Sequence, residues 1–594
     1  MSGRRIFRGG EFLIHDAEPA DVFTPEDFSK EHRMVLKAAA DFVKKELEGN
    51  AELIEEKIES NARNWLEIAG ELGLNATDIP EAFGGEGMDK ISACLVSEAM
   101  GAGYSFAVCH TCQTGIGSLP IFLFGTEAQK KKYLPKLATG EYVGAYCLTE
   151  SGAGSDAMNA ATTATLSADG SHYLLNGEKI FITNGAWADV LTVFAKVDGE
   201  HFTGFIVEKG FEGFSVGAEE KKLGIKGSST VPVIMKDCKV PKENVLFEIG
   251  QGHKIAFNVL NIGRYKLGAT AVGAAKAALA RTVPYANERQ QFGRKISSFG
   301  MIRKKFAQMA IDTYMAESVT YRLAAAIEDK MATLDPAQKS QGAEIARAIE
   351  EYSVECAIVK VFCSEALDHV VDDMVQIFGG NGYIAEYPAA RAYRDSRINR
   401  IFEGTNEINR LVVAGNILKY AMKGRLPLME AVAEAVGAAG VRAVGQDFSD
   451  GPLACQADAL SRCKELFLLT VDTVAKKLLG TLSEDQEILE LLADMIIQIY
   501  TMESGLLRAK KVLAQKGEEK AALHLAAIKV YMADAVPKTA GFAKEVFTFA
   551  EAGDELTALA ARADRLAAAP MENTVALRRT IADKVIKARR YPYS

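Results

Sequence analysis

Between residues 28 and 137, apolar residues recur at three- and four-residue spacing, as over 31–47 and 91–100. That period predicts helices, interrupted by glycine-rich turns such as Phe83-Gly84-Gly85-Glu86-Gly87. From about residue 145 to 245 the pattern shortens to β-rich runs at 173–175, 179–183, 190–197, 202–208 and 231–235. Asn176-Gly177, Asn184-Gly185 and Asp198-Gly199 read as turns between them. The helical period returns at residue 255 and runs to about 422, where Gly424 to Pro427 marks a joint. The remainder is rich in Ala, Leu, Lys and Glu and again helical, with one polar interruption at 446–452.

The pattern predicts a mainly α chain with one small β domain. It divides into an arm (1–27), a helical domain (28–142), a β domain (143–247), a helical bundle (248–423) and an additional helical domain (424–594). Strand–helix alternation is missing, which disfavours a doubly wound parallel sheet.

Composition narrows this little further. The 594 residues are 48% hydrophobic and 25% charged, as in an ordinary globular chain. A formal charge of −9, with lysines and arginines dispersed, gives no support to nucleic-acid binding. Apolar runs such as 119–124 and 431–441 fall short of the ~20 residues that span a bilayer. Nine scattered cysteines fit a reducing compartment, so a cytoplasmic location is expected. Cys109 with Cys112 and Cys356 with Cys363 lack the further ligands of a zinc site, and no metal is expected.

Five segments carry candidate chemistry. Tyr146-Cys147-Leu148-Thr149-Glu150-Ser151-Gly152-Ala153-Gly154-Ser155-Asp156 offers backbone N–H groups and hydroxyls to a phosphate or a flavin edge, or is a surface turn. In Lys179-Ile180-Phe181-Ile182-Thr183-Asn184-Gly185, Phe181 and Thr183 share one face of a strand. Arg289-Gln290-Gln291-Phe292-Gly293, in a helical region, supplies an arginine suited to phosphate. Gln376-Ile377-Phe378-Gly379-Gly380-Asn381-Gly382-Tyr383 would let a ligand approach the backbone. In Ile401-Phe402-Glu403-Gly404-Thr405-Asn406-Glu407, burial of Glu403 would raise its pKa towards that of a useful base. Taken singly, each also fits a solvated turn or cap.

In this order and spacing the five segments resemble the acyl-CoA dehydrogenase family. The first family signature matches at Thr149-Glu150, Ala153 and Gly154-Ser155-Asp156, and departs at Asn159. The second matches at Gln376, Gly379-Gly380, Gly382-Tyr383, Glu386, Arg391 and Asp395. The chain is most similar to the very-long-chain branch, whose members carry an added helical domain. The fold implied is an N-terminal helical domain, a middle β domain and a C-terminal four-helix bundle, plus an extra C-terminal helical domain.

The resemblance implies FAD as cofactor. Tyr146, Leu148, Thr149 and Ser155 would line the flavin, with Phe181 and Thr183 against its ring. Arg289, Gln291, Phe292, Gln376, Gly379 and Gly380 would hold the pyrophosphate and adenosine end across a subunit interface, and Thr405 and Glu407 the adenosine. The family often has Gln at the Glu407 position. Ser155, Asn261, Arg264 and Gly404 would contact the acyl-CoA, although many relatives have Asp where Asn261 stands. Glu403 would be the catalytic base. Branches that place the base on the earlier helix would use position 263, which here is a glycine. The activity implied is α,β-dehydrogenation of long-chain acyl-CoA in fatty acid β-oxidation, with electrons passed to electron-transfer flavoprotein, in a homo-oligomer expected to be a dimer. The alternatives are an acyl-CoA oxidase and an assembly or scaffold role. Peripheral membrane contact has little support from the near-neutral tail.

Overall fold

The computed structural model describes residues 3–339, 341–437, 451–478 and 480–593. Residues 446–450 of the interruption expected at 446–452 lie outside them. Helix starts follow local capping chemistry. The Ser29 hydroxyl accepts from His32 N to open Lys30–Phe42, and Asp89 does the same from Ser92 N for Lys90–Met100. Thr126 and Gln129 cap each other's backbone at the start of Glu127–Thr139, and Gly140, at φ 81°, ends it. Two π-helical turns, Val43–Leu47 and Gln113–Gly117, interrupt the regular geometry.

The β domain holds eight strands: β1 (Gly144–Cys147), β2 (Thr163–Leu166), β3 (His172–Thr183), β4 (Val190–Val197), β5 (His201–Glu208), β6 (Phe214–Val216), β7 (Thr230–Pro241) and β8 (Val245–Leu246). They are ordered β6-β7-β3-β2-β4-β5-β8, with β1 parallel to β4. Asn176-Gly177, read above as a turn, lies inside β3. Gly177, at φ 155°, sits at a register shift against β7, and a Cβ there would press on the Thr162 hydroxyl and backbone. A glycine within a strand therefore marks a bulge here rather than a hairpin.

Four long helices, Gly252–Glu288, Gly300–Ala332, Ser353–Phe378 and Asn406–Met422, form the bundle beyond the sheet. The added helices Gln486–Lys516 and Glu518–Ala550 pack on it, and Ala454–Lys477 packs on those two. The apolar faces at 466–478 and 488–512 are thus covered within the chain: Leu466, Phe467, Ile496, Tyr500 and Leu506 are all buried. The helical stretch Phe106–Phe124 is long and apolar enough to cross a membrane, but 83% of its most apolar window is buried inside the fold.

The N-terminal arm is tied to the added helices. Arg508 pairs with Glu26 at 2.9 Å and Glu317 at 2.7 Å, Lys511 with Asp27 at 2.6 Å, and Lys464 with Asp16 at 3.0 Å. Phe12 lies edge-on to Tyr500, centroids 4.8 Å apart.

Candidate functional site

Glu403 follows a short 3-10 turn (Arg397–Arg400) and precedes the helix capped by Thr405, whose hydroxyl accepts from Ile408 N. The intervening backbone is left-handed at both Glu403 (φ 60°) and Gly404 (φ 81°). A non-glycine residue holds such a conformation only when its surroundings over-determine it, and this clusters at functional sites. Three side chains pin the loop. Arg264 Nε donates to Glu403 O at 3.2 Å, Asn409 Nδ2 to Gly404 O at 2.9 Å, and Lys360 Nζ to Gly404 O at 2.8 Å.

The Glu403 carboxylate enters a cleft lined by Val108, Thr111, Gly115, Thr183, Leu267 and Phe402 among others. Its Oε2 is buried and makes no hydrogen bond. Burial pushes its pKa up to about 7, against the opposing charges of Arg264 and Lys360. An unpartnered carboxylate in an apolar cleft, with a pKa near neutrality, suits proton abstraction. The π-helical turn at Gln113–Gly117 forms part of the wall, and Gln113 fixes it by donating to Leu137 O and Tyr142 O and accepting from Gly144 N.

Across the cleft, β1 and β3 present the first flavin group. Tyr146 and Leu148 are almost fully buried, Thr149 is half-buried, and Ser155 lies exposed on the following loop. Phe181 takes φ 59° at the irregular end of β3 and is left 60% exposed beside half-buried Thr183. Glu150 anchors this segment: it accepts from Ala161 N, from Thr162 N and Oγ1, and from buried Lys179 at 2.6 Å.

A second group is brought together by Tyr285, which stacks on Phe378 at 4.0 Å and donates to its carbonyl. This sets the end of Gly252–Glu288 beside the end of Ser353–Phe378. Arg289 is the C-cap of the first helix, and Gln291 and Phe292 lie past it on a two-stranded hairpin rather than in the helical region expected from the sequence. The hairpin turns at Phe292 (φ 52°) and Gly293 (φ 74°), leaving Phe292 93% exposed. Gln376, Gly379 and Gly380 are exposed at the end of Ser353–Phe378. Asn261 and Arg264 are buried and joined at 3.0 Å, while Glu407 lies exposed in the first turn after Thr405.

These surfaces fit a flavin dinucleotide. The Tyr146 hydroxyl is buried without a partner, Phe181 and Phe292 are exposed aromatics, and a Cβ at Gly152, Gly154, Gly379 or Gly380 would meet nothing within 4 Å. Such open backbone admits a ligand closely.

Lys360 went unnoticed in the sequence. Its signal was a lone charge in the apolar run Ala357-Ile358-Val359-Lys360-Val361-Phe362, which a fully buried helix would have to satisfy.

Family profiles match along most of the chain: acyl-CoA dehydrogenase N-terminal domain at 29–141, middle domain at 145–238, C-terminal domain at 250–418, and a further C-terminal domain at 462–564. A probable acyl-CoA dehydrogenase of Bacillus subtilis (strain 168) is 44% identical over 586 residues, covering 99% of this chain and 98% of that one. The mitochondrial very long-chain specific acyl-CoA dehydrogenase of Rattus norvegicus is 37% identical over 77% of this chain and 71% of its own. A crystal structure of an acyl-CoA dehydrogenase complexed with FAD from Bacillus anthracis superposes with TM-score 0.97 at 47% identity, covering 98% of this chain and all of that one.

Proposed function

The chain belongs to the acyl-CoA dehydrogenase family, and from that premise we propose that it oxidises long-chain acyl-CoA thioesters to trans-2-enoyl-CoA with Glu403 as base. It is a flavoprotein oxidoreductase that uses FAD and acts on acyl-CoA. The observation that carries the residue assignment is the buried, unpartnered Oε2 of Glu403 in the cleft shared with Thr183.

Bound FAD supplies the acceptor for the β-hydride. Tyr146, Leu148, Thr149, Ser155, Phe181 and Thr183 would seat its ring, and Arg289, Gln291, Phe292, Gln376, Gly379 and Gly380 its pyrophosphate and adenosine end, with Thr405 and Glu407 at the adenosine. Glu403 takes the α-proton of the thioester. That proton is a poor acid in water, so the thioester carbonyl must be stabilised as charge develops, and the Glu403 backbone N–H is the donor assigned here. Arg264 and Asn261 orient the thioester end, with Ser155 and Gly404 beside it. The apolar walls exclude water from the carboxylate and so keep it a strong base.

The preference for long chains is supported by the small residues Thr111, Cys112 and Gly115 along the cleft. A Cβ at Gly115 would meet nothing within 4 Å, so the wall is open there. Support also comes from kinship with the long-chain branch. Electron-transfer flavoprotein is the proposed acceptor and the cytoplasm the proposed compartment. All nine cysteines are free, and eight of them are buried. The exposed Phe292 and Tyr383, 93% and 87% accessible, support a dimer in which a second copy helps cover the nucleotide.

Anaerobic titration with acyl-CoAs tests the reading. Palmitoyl-CoA should bleach the flavin, and kcat/KM should be highest at about twelve carbons or more. A maximum with butyryl-CoA removes the chain-length proposal. Turnover with oxygen equal to that with electron-transfer flavoprotein makes the protein an oxidase, and a flavin that no acyl-CoA bleaches leaves the scaffold role.

A further inference from the structure

Lys360 sits in the middle of Ser353–Phe378 with no exposed surface at all, yet its ammonium reaches the backbone that carries Glu403. It donates to Gly404 O at 2.8 Å and to Asn406 Oδ1 at 2.6 Å. Asn406 is itself held: its Nδ2 donates to Ser364 Oγ at 3.1 Å and Glu365 Oε1 at 2.9 Å. Glu365 in turn pairs with Arg410, which reaches Asp494 of the added helical domain at 2.7 Å. The lysine is therefore the inner end of a continuous polar chain, and its far side touches the turn where Glu403 and Gly404 are both left-handed.

Burying a lysine in a helix whose neighbouring residues Ile358, Val359 and Val361 are also buried is costly unless its ammonium is hydrogen-bonded and its charge is matched. The ammonium has two acceptors, one on the Glu403–Gly404 turn and one on the first residue of the helix that follows it. Methionine would fill the same volume with no such cost, so the residue is accounted for by what it does to the loop.

We propose that Lys360 is a positioning residue for the dehydrogenation: its ammonium clamps Gly404 O and Asn406 Oδ1, holds the Glu403–Gly404 turn, and places a cation behind the Glu403 carboxylate. The proposal rests on Glu403 being the base. The charged groups facing Lys360 are Glu403, Glu407, Glu365 and Arg264; those facing Glu403 are Arg264 and Lys360, with the Cys112 thiol and Tyr146 hydroxyl nearby. Lys360 and Arg264 are thus the two cations that favour the ionised base. Arg264 holds the Glu403 carbonyl from the helix Gly252–Glu288, and Lys360 holds the next carbonyl from the helix Ser353–Phe378. Burial lowers the lysine's own pKa to about 7, while Glu403 opposes that shift, so the two groups share one electrostatic balance.

The test uses the full-length FAD enzyme with Lys360→Met and Lys360→Gln. The rate of anaerobic flavin bleaching by palmitoyl-CoA is followed from pH 5.5 to 9.5, beside flavin content and the affinity for trans-2-hexadecenoyl-CoA. Removing a cation raises the pKa of the base, so the acid limb should move up by about one pH unit, a roughly tenfold loss at pH 6.5. Lys360→Gln, which keeps a donor without the charge, should recover the high-pH plateau to within about threefold of wild type and leave the limb displaced. Flavin content and enoyl-CoA affinity should stay within threefold. A limb that does not move in either variant overturns the proposal, because a purely structural lysine lowers the plateau alone. If Lys360→Met fails to fold, the limb in Lys360→Gln decides. Glu403→Gln run in parallel separates the two claims: turnover retained there removes the base assignment itself, and turnover lost there with an unmoved limb in the lysine variants removes only Lys360.

Discussion

Gly263 and Glu403 lie face to face: a Cβ on the glycine would stand 2.7 Å from the Glu403 Cδ and 3.1 Å from Oε1. The helix Gly252–Glu288 therefore approaches the carboxylate with bare backbone at the position where relatives with the alternative arrangement carry their base. Only one acidic side chain fits this space.

Gly263→Ala is accordingly expected to push the carboxylate aside rather than unfold the protein, since the end of a flexible side chain can yield. The rate of flavin reduction should fall roughly 10- to 100-fold, because small misplacements of a reacting group are costly. Melting temperature and flavin content should change little. An unchanged rate would mean that the carboxylate does its work from another rotamer.

Glu403→Gln should retain FAD and acyl-CoA binding and lose roughly 10²- to 10⁴-fold in turnover, the span of general-base catalysis. Wild-type kcat should rise with pH through about 7, because burial raises the pKa to about 7 and the base works only when ionised. Stopped-flow reduction across pH measures both, and a flat profile from pH 5 to 9 would contradict the assignment.

Arg289→Ala should loosen the cofactor by removing the guanidinium proposed to pair with its phosphate from the exposed C-cap of Gly252–Glu288. Flavin content after extended dialysis is the readout, expected to drop while the apoprotein keeps its helical circular dichroism. Full retention would place the pyrophosphate elsewhere.

Arg508 is buried between Glu26 and Glu317, and its removal takes the paired cation from Glu26 and leaves Glu317 with Lys276 alone. Arg508→Met should destabilise by about 3–5 kcal/mol, read as a lowered urea midpoint. Burial acts to raise the Glu317 pKa, but Lys276 and Arg508 together hold it below the ordinary carboxylate range. A depressed folded pKa stabilises above the unfolded value of about 4.5, and that stability is lost as pH falls below it. Wild type should therefore lose stability more steeply than the variant on acidification below that value, and parallel acid curves would show that the pair is not linked to folding.

Light scattering on the full chain should give a dimer. The faces of Ala454–Lys477 and Gln486–Lys516 are already occupied within the chain, so the added helices stand on one side of the bundle as a cover. A tetramer would require a face that they leave open.

Local chemistry was enough to read much of this molecule from its sequence. β4 occupies the stretch that β-rich composition and turn signals bounded at 190–197, and the helix at 91–100 begins one residue earlier, where Asp89 caps it. The chemistry of Glu403 was legible too, because Ile401-Phe402 before it and Gly404 after it announce an apolar setting and a broken helix. The tertiary structure decided what depends on residues far apart. Asn176-Gly177 has the composition of a turn, yet pairing with β7 makes it a bulge. Phe181 becomes exposed only because the ladder is irregular at its strand end. Lys360 meets Gly404 from 44 residues away, and Arg508 meets Glu26 from 482. A chain's spacing encodes its periods and its caps, since those are contacts within a turn or a strand pair. The pKa of a base and the partner of a buried cation depend on desolvation and on charges brought in by packing, and these exist only once the distant helices have come together.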